Sequence, residues 1–199
     1  STSGHRKGIE TLIEIVKTAK SEKVRKLIVY AFSTENWNRE SFEVNALMNL
    51  INFGVDVKLD EIKANGIKLS FIGDIDSMPE HAKEGISKCI NETKNLNDFE
   101  LVVALNYGAI WDIVNAVKDA KIKNEDLNED NFLEFTQLGT EEIDIFIRTG
   151  GDMRLSNFLL ANIGYSELFF TEKLWPEFES KDLLEIIQEF RKRQRRFGQ

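Results

Sequence analysis

One cysteine, two prolines and two histidines in 199 residues leave little for several kinds of chemistry. A lone Cys89 makes no internal disulfide, so nothing points to an oxidising compartment. It lies between Ile86 and Ile90 on a helical pattern and is expected to be a small core residue. No hydrophobic run approaches the ~20 residues needed to span a bilayer, and no signal-peptide pattern is present. The expected location is cytoplasmic. Bases are outnumbered by acids, 26 to 34, and the net charge of −8 excludes a general nucleic-acid binder, which needs a basic surface. A small basic pocket in an acidic protein is not excluded. There is no His/Cys metal spacing, no Walker loop, no Gly-x-Gly-x-x-Gly and no Ser-His-Asp set. With only Pro79, Pro176 and scattered glycines, there is also no linker, repeat or low-complexity tract.

What is present suits one domain. At 42% hydrophobic, the chain is long enough to bury roughly 70% of its unfolded surface. Ile9, Leu12, Ile13, Val16 and Ala19 recur at helical spacing behind Ser3, a candidate N-cap. "KLIVYAF" (26–32) is a continuous apolar run of strand length, as expected of a strand buried on both faces. The loop "STENWNRE" follows, then a long helix over 41–64 stopped by Asn65-Gly66. "IKLSFIG" reads as a strand, and Pro79 opens the next helix. "FELVVAL" is a strand leading through "NYG" into a helix; "IDIFI" and "SELFF" are strands; 180–197 reads as a C-terminal helix. Alternating apolar strands and helices predict an α/β single domain with a mostly parallel central sheet flanked by helices. Ligands of such sheets bind beyond the carboxyl ends of the strands. The informative residues are therefore 33–39, 73–76, 106–108 and 148–156.

In "IRTGGDMRLSN" (147–157), Arg148 ends a strand, Gly150-Gly151 allows a tight turn, and Arg154 and Ser156 follow at an expected helix start. Two guanidiniums, a hydroxyl and a helix terminus suit a multiply charged oxyanion such as a diphosphate. The bland alternative pairs Arg148 with Asp152 and leaves Arg154 solvated. In "FSTENWNRE", Ser33, Thr34, Glu35, Asn36 and Arg39 cluster polar groups after a strand, with Trp37 either covering a site or packing into the core. His5 lies in the first turn of a helix, where it either meets a phosphate or is idle. His81 reads as surface. Glu167 in "YSELFF" is a candidate Mg²⁺ ligand or an exposed edge acid. The basic tail "RKRQRRFG" (191–198) is favourable charge at a helix end or an anion-reaching segment.

Together, "YAFSTENWNR" (30–39), "IRTGGDMRLSNFLL" (147–160), "YSELFFTEKLWPEF" (165–178), the terminal "RRFG" and the glycine-histidine pair at 4–5 resemble the cis-prenyltransferase family, the undecaprenyl diphosphate synthases, in order over essentially the whole chain. The resemblance implies Mg²⁺-dependent condensation of isopentenyl diphosphate onto farnesyl diphosphate, giving an undecaprenyl or other long-chain polyprenyl diphosphate, the precursor of the cell-wall lipid carrier. It implies that Arg148, Arg154, Leu155 and Ser156 bind isopentenyl diphosphate and that Glu167 helps hold the metal. His5 and Arg39 would serve the allylic diphosphate. Ser33, Thr34, Glu35 and Trp37 would line the substrate loop, and Asn36 would assist proton removal. An amide is a poor base, so Asn36 is expected to position rather than accept the proton. Arg196 and Gly198 match a terminal element that helps complete the site in a homodimer. The oily chain needs an apolar tunnel, for which Leu47, Met48, Leu50, Ile51 and Phe53 of the long helix, and the strand ending at Leu105, are candidates. A peripheral contact with the inner membrane face is expected during product release. The family's N-terminal strand and its aspartate-bearing diphosphate loop are expected upstream of Ser1. Relatives lacking that loop are non-catalytic accessory subunits, which is the alternative reading. Ala161-Asn162, where relatives often have Trp-Gln, departs from the pattern.

Overall fold

The computed structural model describes residues 2–38 and 41–193, without the side chains of 2, 3, 5, 41–43, 46, 47, 49–53, 55 and 56. The expected Arg39, Arg196 and Gly198 lie outside the described residues, as do the side chains of His5, Leu47, Leu50, Ile51 and Phe53.

Helix α1 (Thr2–Ser21) starts one residue ahead of the expected Ser3 cap. Its apolar stripe buries Ile13, Ile15, Val16 and Ala19. Strand β1 (Lys26–Ser33) follows, then a 3-10 turn over Thr34–Asn38 where the sequence reads as loop. Helix α2 (Ser41–Ala64) ends where expected, at Gly66 with φ +69, a left-handed stop that glycine adopts without Cβ strain. Then come β2 (Ile67–Ile72), α3 (Glu80–Thr93), β3 (Phe99–Tyr107) and α4 (Ala109–Ile122). The chain continues through β4 (Ile145–Arg148), β5 (Glu167–Phe170) and α5 (Ser180–Lys192). Helix α5 is nucleated by a capping box: the Glu179 N–H donates to Asp182 Oδ2 at 2.8 Å. Cys89 is buried in the core as expected, and burial pushes its thiol up to about 11.

The architecture is α/β with parallel pairing throughout: β1-β3-β2 form one sheet and β4-β5 a second. Strand β3 sits in the middle and is almost wholly buried. Strand β1 does not follow the expectation of burial on both faces, since only Phe32 of its eight residues is fully buried. The reason is topological. Among the described residues β1 pairs only with β3 and β4 only with β5, and both strands line one continuous cleft of about 1660 Å³. The two strands run the same way. Their amino ends are clipped together by Glu141, which accepts from Lys26 Nζ at 2.8 Å and Arg25 Nη2 at 2.9 Å. Beyond their carboxyl ends, Asn157 reaches Glu35 at 2.8 Å. Tyr30 stacks on Phe158 with ring centroids 4.3 Å apart, closing one face between the sheets.

Candidate active site

The carboxyl end of β4 delivers Arg148 to the mouth of this cleft. Its Nη2 donates to Asp152 Oδ2 at 3.1 Å, and Arg154 Nη2 donates to the same oxygen at 2.6 Å. Arg148 Nη1 also donates to Ser156 Oγ and to the Arg154 carbonyl, both at 2.6 Å. The bland pairing of Arg148 with Asp152 is therefore realised, and with it a geometry in which two guanidiniums and a hydroxyl converge on one carboxylate. A carboxylate held this way marks where a stronger, multiply charged oxyanion would sit. Gly150 and Gly151, at φ +92 and +83, fold the segment back on β5, with Gly150 N–H donating to the Lys173 carbonyl at 2.8 Å and Gly151 N–H to that of Thr171 at 2.9 Å.

The helix expected to start at Arg154 is not formed. Ser156, Asn157 and Leu159 all take left-handed backbone, φ +50, +60 and +48, and the segment runs as successive turns. Left-handed residues cannot propagate a right-handed helix, so no helix terminus contributes to the anion site. The reason lies in tertiary contacts: the Asn157 carbonyl accepts from Ala109 N–H at 2.8 Å and its Oδ1 from Ile110 N–H at 2.9 Å, capping α4 instead.

The loop after β1 forms the facing wall. Ser33, Glu35 and Asn36 line the cleft together with Arg148, Arg154, Leu155 and Ser156. Asn36 Oδ1 accepts from Ser33 N–H at 2.9 Å, so the amide oxygen is engaged and the residue is held in place. Burial alone pushes the Glu35 carboxyl up, but hydrogen bonds from Asn157, its own backbone, Ser33 and Thr34 outweigh that and hold it below the usual carboxylate value. Thr34 and Trp37 turn away from the cleft. Thr34 packs on Gly108, where an added Cβ would lie 2.6 Å from its Oγ1. Trp37 sits edge-on against Phe32 and donates from Nε1 to Asn106 Oδ1 at 2.7 Å. It covers the loop's base while remaining partly exposed. Asn106 is itself buried and left-handed, φ +50, and ties its Nδ2 to the Asp74 carbonyl. Sequence reading placed Asn106 and Gly108 in an informative stretch and Asn157 in the arginine motif, but gave none of the three a role. An Asn at a strand end or just before a helix is the visible signal for left-handed capping, but its partners are 47 to 122 residues away for Asn157.

Depth in the cleft is apolar: Met48 and Leu59 of α2 and Leu101, Val103 and Leu105 of β3 line it. Of the expected tunnel residues, Met48 and Leu105 are buried in one cluster with Phe32, Val44 and Met78.

The model of the family described as putative undecaprenyl diphosphate synthase, the prenyltransferase family, matches residues 1–198. The chain belongs to that family. The isoprenyl transferase of Clostridium perfringens is 40% identical over 99% of this chain and 81% of its own length. A farnesyl-diphosphate-specific ditrans,polycis-undecaprenyl-diphosphate synthase of Photorhabdus laumondii is 38% identical, over 98% of this chain and 80% of its own. Among solved structures, a probable undecaprenyl diphosphate synthase from Campylobacter jejuni superposes with a TM-score of 0.92 at 32% identity, covering 98% of this chain and 93% of that one. The α/β fold expected from the sequence is thus the fold of the prenyltransferase family.

One expected site residue departs from the cluster. Glu167 opens β5 and pairs in register with Ile145, at the amino end of β4, whereas Arg148 pairs with Phe170. That is an offset of three residues, about 10 Å along the strand. The Glu167 carboxylate instead accepts from Arg193 Nη1 at 2.7 Å, and the Arg193 guanidinium lies 4.1 Å from the centre of the Phe169 ring. Glu167, expected as a Mg²⁺ ligand, thus lies at the opposite end of the β4-β5 pair from Arg148. Among the described residues no three His, Cys, Asp or Glu side chains gather as a metal cage.

Proposed function

We propose that this prenyltransferase elongates a cis-prenyl chain by joining isopentenyl diphosphate to an allylic diphosphate, farnesyl diphosphate, to give an undecaprenyl or similarly long polyprenyl diphosphate. The observation that carries the reading is the paired arginines on Asp152 at the mouth of a mainly apolar cleft. Such a cleft takes a ligand with one highly charged end and an oily body. The relatives' names supply the substrate class.

In this reading Arg148, Arg154 and Ser156 exchange the Asp152 carboxylate for the diphosphate of isopentenyl diphosphate, with Leu155 beside it. The alkene of that substrate attacks the first carbon of the allylic chain, the allylic diphosphate departs with the bonding electrons, and a proton is lost from the isopentenyl unit. Asn36, its oxygen fixed by Ser33, orients the isopentenyl unit for that loss. Ser33 and Glu35 border the allylic end, and the apolar depth from Met48 to Leu105 receives the lengthening chain. His5, Arg39, Arg196 and Gly198 keep their expected roles as proposals.

Mg²⁺, when bound, neutralises charge on the diphosphates. Lacking a three-ligand cage, the described residues fit it as an ion carried on substrate phosphates with one protein carboxylate, a mode common for Mg²⁺. Glu35, held ionised at the cleft mouth, is the fitting group here. Glu167, whose Oε2 accepts from Arg193, is the other candidate carboxylate.

Among the described residues β1 and β4 each have a strand partner on one edge only, and both line the cleft. A further parallel strand seated there would join the two sheets and carry its following loop to Ser33 and Arg148. Homodimerisation and a passing membrane contact complete the reading. The test is incubation with farnesyl diphosphate, isopentenyl diphosphate and Mg²⁺, using a chain that includes any residues upstream of Ser1. Stepwise lengthening by five-carbon units is expected; no lengthened product overturns the reading.

A further inference from the structure

Asn157 is the point at which the loops following three strands meet. It belongs to the loop after β4, caps α4 directly after β3 through Ala109 and Ile110, and donates from Nδ2 to Glu35 Oε1 of the loop after β1. Both polar atoms of its amide and its own carbonyl are engaged, with heavy-atom distances of 2.8 to 2.9 Å. Its left-handed backbone, coming directly after left-handed Ser156, is one that asparagine tolerates better than other side-chain-bearing residues. A second, independent feature shows how closely the three loops are packed. A Cβ on Gly108 would fall 2.6 Å from Thr34 Oγ1 and 2.9 Å from Asn157 Nδ2, so no other residue type fits between them undisturbed.

The consequence concerns register between two half-sites. Ser156, adjacent in the chain, accepts from Arg148 and belongs to the anion site. Glu35 and Asn36 belong to the opposing loop. Condensation requires reacting carbons brought to near-contact, and a misplacement of about 1 Å costs on the order of 100-fold in rate. We propose that Asn157 is a positioning residue that locks the Glu35 loop to the arginine–serine anion site, setting the distance between the two bound substrates. It touches neither substrate and acts through Glu35 and Ser156. This inference rests on the prenyl-elongation reading.

The test uses three variants. Asn157→Gly keeps the left-handed backbone and deletes the amide. Asn157→Asp keeps an acceptor for Ile110 N–H but sets a carboxylate against Glu35. Adding Glu35→Gln to Asn157→Asp restores a donor–acceptor pair in the reverse sense. Asn157→Gly is expected to lower kcat roughly 10- to 100-fold while KM for isopentenyl diphosphate moves less than about threefold. In single-turnover rates, Glu35→Gln and Asn157→Asp are expected to be non-additive by at least about tenfold, the double variant being no slower than Glu35→Gln alone. Unchanged kcat in Asn157→Gly, or strict additivity in the cycle with melting temperatures intact, overturns the proposal. A wild-type chain inactive on both diphosphates instead overturns the reading on which it stands.

Discussion

Arg148 and Arg154 share a single acceptor, Asp152 Oδ2, at 3.1 and 2.6 Å. The two guanidiniums are thereby already aimed at one point. Arg148→Ala removes the more buried of the two cations. Charge-assisted hydrogen bonds contribute about 1.5–3 kcal/mol each, so KM for isopentenyl diphosphate is expected to rise about 10- to 100-fold. The melting temperature should hardly move, because the pair with Asp152 is part-exposed and contributes little. Steady-state kinetics beside a thermal melt check this; unchanged KM would remove Arg148 from the diphosphate site. Arg148→Lys should recover little, since an ammonium lacks the planar fork that spans Asp152 and Ser156.

Gly108→Ala is a probe of loop spacing that alters no ionisable group. The backbone at Gly108 is extended, φ −151, so the cost is steric and falls on Thr34 and Asn157. A drop in kcat of roughly tenfold or more, at nearly constant stability, is the expected outcome. Wild-type kinetics would show that the loops yield without consequence.

Glu141 sets an acid limit on stability. Hydrogen bonds from Arg25 and then Lys26 lower its pKa to about 2, against an ordinary 4.5. A carboxylate depressed in the folded state stabilises above its unfolded pKa, and that stabilisation is lost as pH falls through the folded value. The window is therefore about pH 4.5 down to about 2. Arg25 is 74% exposed, so solvent screening reduces the effect. We expect Glu141→Gln to cost about 1–2 kcal/mol at neutral pH and to flatten the denaturant midpoint across that acid window. An unaltered pH profile would mean the clip is idle.

Buried Asp112 behaves with the opposite sign. Burial raises its pKa, against hydrogen bonds from Gln137 N–H and Tyr107 that lower it. Its oxygens accept from Tyr107 Oη and Gln137 N–H, both at 2.9 Å. Asp112→Asn retains an acceptor and relieves the buried charge, so a stability change within about 1 kcal/mol is expected. Asp112→Ala leaves a hydroxyl and an amide unsatisfied, at about 1–3 kcal/mol. Chemical denaturation of the two variants separates these outcomes.

How much of this was legible in the sequence depends on the range of the interaction. Helix α2 and the Gly66 stop were readable because periodicity and a left-handed cap are local signals. The clustering of Arg148, Arg154 and Ser156 was readable for the same reason, since they lie within nine residues of one another. The absent helix after Arg154 was not: "RLSNFLL" has no local breaker, and its left-handed turns follow from contacts with α4 and Glu35. The distance of Glu167 from Arg148 along the β4-β5 pair was not legible either, because a strand's sequence shows which residues it contains but not its register with a neighbour. The half-exposed state of β1 was likewise invisible, since an apolar run reads the same whether one edge or both edges are paired.

That open edge bears on solution behaviour as well as on catalysis. Leu27 to Phe32 is a six-residue stretch rich in β-branched and aromatic residues, uncharged and without proline, the composition that favours cross-strand self-association. Among the described residues this edge has no strand partner; it faces a cleft instead of open solvent, and Glu141 ties the segment before β4 to its amino end. Loosening that clip would expose a ready template for intermolecular strand addition.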